Sequence, residues 1–231
     1  MRDKVSLALP AVLLFTVITA TPAHAELAIA AKASTLGLGA ELTAGLSRQW
    51  NVRLGVNGFN YSERREASDI EYDAEASLRN GTALLDWHPG GSTFRLTGGL
   101  VYNGNEVTGS SLPPASGFYD IGGVPVPVGL VGTLDAEADF DTFVPYAGLG
   151  FGNAVSTNRK IGFFLDLGVV FQGEADVTLT PIIPAGSPIN TVPGAREALD
   201  ILLQREELEL EDEASDYDLY PVVAIGLSYR F

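Results

Sequence analysis

The 231-residue chain contains no cysteine. Disulfide bridges, thiol nucleophiles and cysteine metal sites are therefore excluded. Histidine is almost missing, with His24 and His88 the only two. Beyond one stretch near the start, no segment reaches the roughly 18 consecutive apolar residues of a membrane-crossing helix. Basic residues are scarce, 14 against 29 acidic ones, for a formal net charge of −15. That balance argues against nucleic acid as a partner and against a polybasic hold on a membrane surface. What the chain has in quantity is glycine, 26 residues, and a hydrophobic content of 46 % that is spread out rather than blocked.

The one apolar block lies at the N-terminus. Arg2 and Lys4 precede Val5 to Ala20, and Ala23-His24-Ala25 is a small-residue cleavage site. These features predict a cleaved export signal over residues 1–25 and a mature protein over residues 26–231. A chain of that size suits one domain, and no linker or fixed-period repeat divides it. An exported protein that spans a membrane without helices must form a closed barrel, because lipid offers backbone N–H and C=O groups no partners.

The last stretch, Leu219 to Phe231, alternates strictly. Leu219, Pro221, Val223, Ile225, Leu227, Tyr229 and Phe231 mark one greasy face, and Ala224, Gly226, Ser228 and Arg230 mark the other. This is strand periodicity with one apolar side. The stretch resembles the C-terminal signal strand of bacterial outer-membrane β-barrels, which the assembly machinery reads and which closes the barrel. The resemblance implies that Val223, Ile225, Leu227, Tyr229 and Phe231 form the assembly signal. It also implies location in the outer membrane of a Gram-negative envelope. As architecture, the mature chain is similar to the small-barrel group that includes the OmpA transmembrane domain, OmpX and OmpW, although the signal strand alone carries the likeness as a motif.

Similar alternation recurs along the chain. It begins at Leu27–Ala33 and changes phase at Ser34-Thr35, where a tight turn or bulge is needed. It changes phase again after Asn80-Gly81, which predicts a bulge at the glycine. Connections alternate in length. Ser47–Trp50, His88–Ser92 and Asn153–Lys160 are short, whereas Ser62–Asp69, Asn105–Val131 and Pro181–Asp218 are long. Outer-membrane barrels have short periplasmic turns and long outer loops. The expected fold is thus all-β, an antiparallel up-and-down barrel of eight strands, the first being the short Leu27–Ala33, with an extended N-terminal peptide in the lumen as the alternative for that segment. Ala195 to Ala214 is rich in strong helix formers and predicts one helical excursion in the last extracellular loop.

If the greasy face meets lipid, the charged face lines the lumen. The phase assigns Arg53, Arg79, Arg95, Arg230, Glu41, Glu71, Asp73, Glu75, Asp86, Asp135, Glu137, Asp139 and Asp166 to the interior. The arginines at 53, 95 and 230 fall near the periplasmic end, and Glu71, Asp73, Glu75, Asp135, Glu137 and Asp139 lie towards the outside, either on strand extensions standing above the membrane in water or as an acidic mouth that attracts cations. Oppositely charged groups in a narrow lumen are expected to pair. The acids between Glu206 and Asp218 suit Ca²⁺ or Mg²⁺ near lipopolysaccharide head groups, although their spacing matches no EF-hand.

No catalytic set emerges. His24 leaves with the signal and His88 falls in a periplasmic turn, so a histidine-based acid/base site on the outer face is missing. There is no Walker loop or dinucleotide fingerprint, and no cofactor is expected. The reading is a monomeric barrel with a structural or surface-interaction role and no catalysis. Its partners would be outer-membrane lipid, lipopolysaccharide and the barrel-assembly machinery. The alternative is a narrow channel or small-ligand-binding barrel with an acidic mouth.

Overall fold

Period-two alternation becomes an antiparallel sheet that closes on itself. The computed structural model describes residues 26–67, 70–155, 159–215 and 218–231, without the side chains at 63–67, 71 and 72. The expected export signal over 1–25 and the side chain of Glu71 lie outside the described residues. In chain order the first strands are β1 (Leu27–Ser34), β2 (Gly37–Gly45), β3 (Trp50–Ala67), β4 (Ile70–Trp87), β5 (Phe94–Asn103) and β6 (Glu106–Ser111). A small hairpin, β7 (Phe118–Ile121) and β8 (Val124–Pro127), leads through the single turn α1 (Val128–Val131) to β9 (Thr133–Asp139) and β10 (Phe143–Phe151). Then come β11 (Ile161–Phe171), β12 (Asp176–Ile182), the helix α2 (Ala195–Ala214) and β13 (Leu219–Arg230).

Eight of these form a ring in the order β1-β2-β3-β4-β5-β10-β11-β13, with every pairing antiparallel. β13 returns to β1 in a register running from Ala28↔Arg230 to Ser34↔Ala224. Closure leaves no sheet edge within the ring, which is what hydrocarbon requires. The phase change near Ser34 is a two-residue turn between β1 and β2.

The outside of the ring is a greasy belt. Val223, Ile225, Leu227 and Tyr229 are between 44 % and 61 % exposed, and Leu42, Leu54, Leu100 and Phe163 continue the belt around the wall. Aromatic pairs mark its rims. Trp50 stacks on Trp87, Phe94 packs on Phe151 and Tyr229 on Phe231 near the short turns, and Tyr102 meets Phe143 at the opposite rim. Such a surface is stable against lipid and not against water, so the ring spans a membrane.

Above the belt the wall continues on one side. β6 pairs with the upper half of β4, β9 with β6 and β12 with β9, giving an upright sheet in the order β3-β4-β6-β9-β12. Its inner face packs against the loops in a second core that contains Ile70, Tyr119, Ile121, Leu134, Leu179 and Leu203. α2 contributes Leu199, Leu203, Glu206 and Leu210, spaced as one stripe of a helix. Glu207 Oε1 accepts from the N–H of Leu179 at 2.8 Å, and Glu211 Oε1 accepts from that of Val177 at 3.3 Å. These acids of the helix therefore cap N–H groups of β12 that have no strand beside them, a standard defence of a sheet edge.

Several expectations from the sequence are not met. The segment from Ser62 to Asp69 is not a loop, because β3 and β4 run on to Ala67 and back from Ile70, with only 68 and 69 outside the described residues. No bulge occurs at Asn80-Gly81, since β3 and β4 keep one register from Trp50↔Trp87 to Ala67↔Ile70. The residues that look phase-shifted have not turned round. What changes is the medium outside the wall, from lipid around Leu85 to water around Glu75. The outward positions become acidic, and the inward side stays apolar, with Ile70 packed into the loop core. The place of the upper acids follows from the same change.

Candidate functional site

The ring is narrow, and alternate residues of every strand point into it. Midway down, β2 supplies Glu41, β3 Arg53, β4 Asp86, β5 Arg95 and Thr97, and β11 Asp166. Arg53 sits at the hub. Its Nε lies 2.7 Å and its Nη2 3.0 Å from Asp86, while Nη1 reaches Glu41 at 3.2 Å and Asp166 at 3.0 Å. Arg95 Nη2 donates to the other Asp166 oxygen at 2.7 Å, its Nη1 donates to the carbonyl of Gly152, and its guanidinium lies 5.6 Å from the Phe164 ring centre. Lys32 Nζ, from β1, binds Glu41 at 3.1 Å, and Thr97 Oγ1 donates to Asp86 at 2.7 Å. Three cations face three carboxylates, so the cluster is formally neutral.

Arg53, Arg95, Glu41, Asp86 and Asp166 are each at most 4 % exposed. Burial of this kind is tolerable only because each charge has several partners, and removing one would strand the rest. Tyr146 and Phe164 fill space beside the cluster. Each lies against an inward glycine, Gly168 and Gly226 respectively, at distances where a β-carbon would collide with the ring. Above the cluster, a void of about 20 Å³ is bounded by Lys32, Thr82, Tyr146, Asp166 and Val222 among others. That is room for about one water.

A second network closes the end near the short turns. His88 is 1 % exposed. Its Nδ1 lies 2.9 Å from the Ser92 carbonyl, which can only accept, so Nδ1 carries the proton. Nε2 then accepts from Asn51 Nδ2 at 3.0 Å, and Asn51 Nδ2 also reaches Asn153 Oδ1 at 3.2 Å. Burial holds the imidazole below its usual pKa, and the nearby Arg95 adds to the effect against the opposing pull of the Ser92 carbonyl and Asp86.

The remaining residues assigned to the interior lie elsewhere. Arg230 binds Glu26 at 3.1 Å in a partly exposed pair at the seam between β1 and β13. Arg79, Asp73 and Glu75 occupy outward positions of β4, and Asp135, Glu137 and Asp139 share that face on β9. They line the outer wall of the upright sheet, not a mouth of the lumen. The cause is the same change of medium that mimicked a bulge. Sequence reasoning missed Lys32, Asn51 and Thr97. Lys32 carried a signal, since it falls between the greasy Ala31 and Ala33 on the phase of the small residues of β1.

The barrel is similar to CarO2 of Acinetobacter baumannii, with a TM-score of 0.55 and 18 % identity over 90 % of this chain and 99 % of that one. It is also similar to CarO of Acinetobacter baumannii, with a TM-score of 0.52 and 17 % identity over 88 % and 97 % of the two chains. The fold is that of an outer-membrane β-barrel. A major outer membrane protein of Thermus thermophilus aligns more loosely, with a TM-score of 0.42 and 13 % identity over 90 % of this chain and the whole of that one. No protein-family model and no curated protein sequence matches the chain. The likeness is therefore one of architecture.

Proposed function

We propose that the protein is an outer-membrane barrel with a structural or surface-interaction role, without catalysis and without a steady path for ions or solutes. The observation that carries this reading is the interior, where six paired charges and two aromatic rings occupy the midsection. A permeant ion would have to break pairs that hold one another against desolvation. The surface role is supported by the upright sheet and α2, which form a folded platform with its own core instead of loose loops. His88, the one histidine among the described residues, is engaged on both ring nitrogens inside the wall, so it offers nothing to a substrate at the outer face.

In the same reading, residues 1–25 direct export and are removed. Val223, Ile225, Leu227, Tyr229 and Phe231, on the lipid side of the strand that closes the ring, present the signal to the assembly machinery. The barrel then works as a monomer in contact with lipopolysaccharide. Liposome swelling tests the central point. Vesicles carrying the refolded barrel should swell in isosmotic glycine or arabinose no faster than empty vesicles. Swelling at a porin-like rate would replace this reading with the channel one.

A further inference from the structure

The rim of the barrel dips at one place. β1 and β2 stop at Ser34 and Gly37, joined by the Thr35-Leu36 turn, while the strands on either side climb higher. On one side β3 continues from Gly58 to Ala67, and among the described residues only β4 lies beside that part. On the other side Thr35 N–H donates to the Val223 carbonyl at 3.1 Å, so β13 from Val222 back to Leu219 stands above the turn. The dip lies at the level of hydrocarbon. Leu219, higher than the turn, is still 56 % exposed on the outward, greasy phase of β13, and Leu38 continues the belt up to the foot of the dip on β2.

The lip of the dip is built to meet hydrocarbon. Pro221, on the free side of β13, has no N–H to leave unpaired. Its carbonyl accepts from Thr35 Oγ1 at 2.9 Å, and the Thr35 carbonyl accepts from the Tyr220 hydroxyl at 2.7 Å. Ser34 Oγ donates to the Gly37 carbonyl at 3.0 Å. Groups that water would otherwise serve are thus engaged within the lip, as lipid requires. Below it, Leu36 is buried against Leu84, Val101 and Val222 and closes the way down into the lumen.

The wall just inside the dip is apolar and uncovered. Phe59 and Tyr61 are in phase with the inward Arg53 and Asn57, and Val107 shares their face through Ala76, which pairs with both Tyr61 and Val107. Inward apolar residues lower in the ring are at most 6 % exposed, yet Phe59, Tyr61 and Val107 are 50 %, 49 % and 38 % exposed and lie outside the loop core. Phe59 stands at the dip itself, since a β-carbon on Gly37 would lie 3.0 Å from its own. The lipid belt therefore continues from Leu38 and Leu219 on the outside, over a lip without open polar groups, to Phe59 on the inside.

We propose that an acyl chain of an outer-leaflet lipid crosses the Thr35-Leu36 turn and lies on Phe59, Tyr61 and Val107. Hydrocarbon there removes apolar surface from water, which is favourable, whereas a polar ligand would meet a lip whose polar groups are already engaged. The site lies above Leu36, so it does not depend on whether the lumen conducts.

Fluorescence quenching in lipid vesicles tests this, because a chain without cysteine accepts one bimane-labelled cysteine at a time. Ala76→Cys places the label inside, opposite Tyr61, and Glu75→Cys places it one residue away on the exposed outer face at nearly the same height. Leu54→Cys reports the belt. With phosphatidylcholine carrying a doxyl group on its acyl chain, the label at 76 should be quenched as strongly as that at 54, and the label at 75 should not be. Adding Phe59→Asp should lower quenching at 76 to the level seen at 75. Heat-modifiable mobility checks that each variant is a folded barrel, and the comparison of the three labels stands even if Phe59→Asp does not fold. Quenching at 76 no greater than at 75, quenching at 76 by aqueous iodide in place of the doxyl lipid, or quenching that survives in folded Phe59→Asp would overturn the proposal.

Discussion

Replacing Arg53 with methionine is the sharpest test of how the interior is held together. Methionine keeps an unbranched apolar stem as far as the Nε position and removes the guanidinium, so the change deletes the charge at the hub. Arg53 touches three carboxylates within 3.2 Å. After its loss, Glu41, Asp86 and Asp166 would share Lys32 and Arg95, leaving one buried negative charge in excess. Breaking a buried pair from one side costs about 3–5 kcal/mol, or roughly two to four decades in the folded-to-unfolded ratio. Adding Asp86→Leu rebalances the cluster at two charges of each sign and should recover about half of the loss, since apolar replacement of a whole pair is often near neutral. Urea unfolding in lipid vesicles reads both values, with Trp50 and Trp87 as reporters at the rim of the belt. The outward Arg79, changed to alanine, should lose less than about 0.5 kcal/mol. A loss below about 1 kcal/mol for Arg53→Met, or a double variant weaker than the single, would refute the charge-balance argument.

His88 should make stability fall in mild acid. Its folded pKa lies below the usual value, so its contribution is complete above the unfolded pKa of about 6.5 and is lost as pH falls through the folded value. Unfolding curves for wild type and His88→Asn between about pH 7.5 and 5, a window spanning the usual histidine range, should diverge least at low pH, and parallel curves would remove the role given to His88. Deletion of Phe231 should leave the protein in the periplasm and subject to degradation, as fractionated cells would show by loss of the heat-modifiable band. An epitope at Ser187 should be labelled by antibody on intact cells and one at Gly91 should not, which checks the orientation of the ring.

Within the membrane, much of this was legible because one rule holds there. The outside is hydrocarbon, so every residue in phase with Leu42, Leu54 or Ile225 is greasy, and Glu41, Arg53, Asp86, Arg95 and Asp166 fall on the opposite phase. The eight-strand count also followed, from the phase change at Ser34-Thr35 and the alternation of short and long connections. Above the membrane the rule reverses. β4 carries Leu85 outward in lipid and Glu75 outward in water without any slip, so a fixed rule reads the change of medium as a change of direction. β9 misled in the same way through Leu134, Ala136 and Ala138, which pack on the loop core. A clue was present in the length of β3 and β4, 18 residues each, where a tilted spanning strand needs about 9–11.

Single-channel recording in planar bilayers tests the central claim, a lumen sealed by its own charges. The wild-type barrel should show no steady conductance above the bare bilayer. A large, stable current from folded wild-type protein would show an open path and contradict the sealed interior.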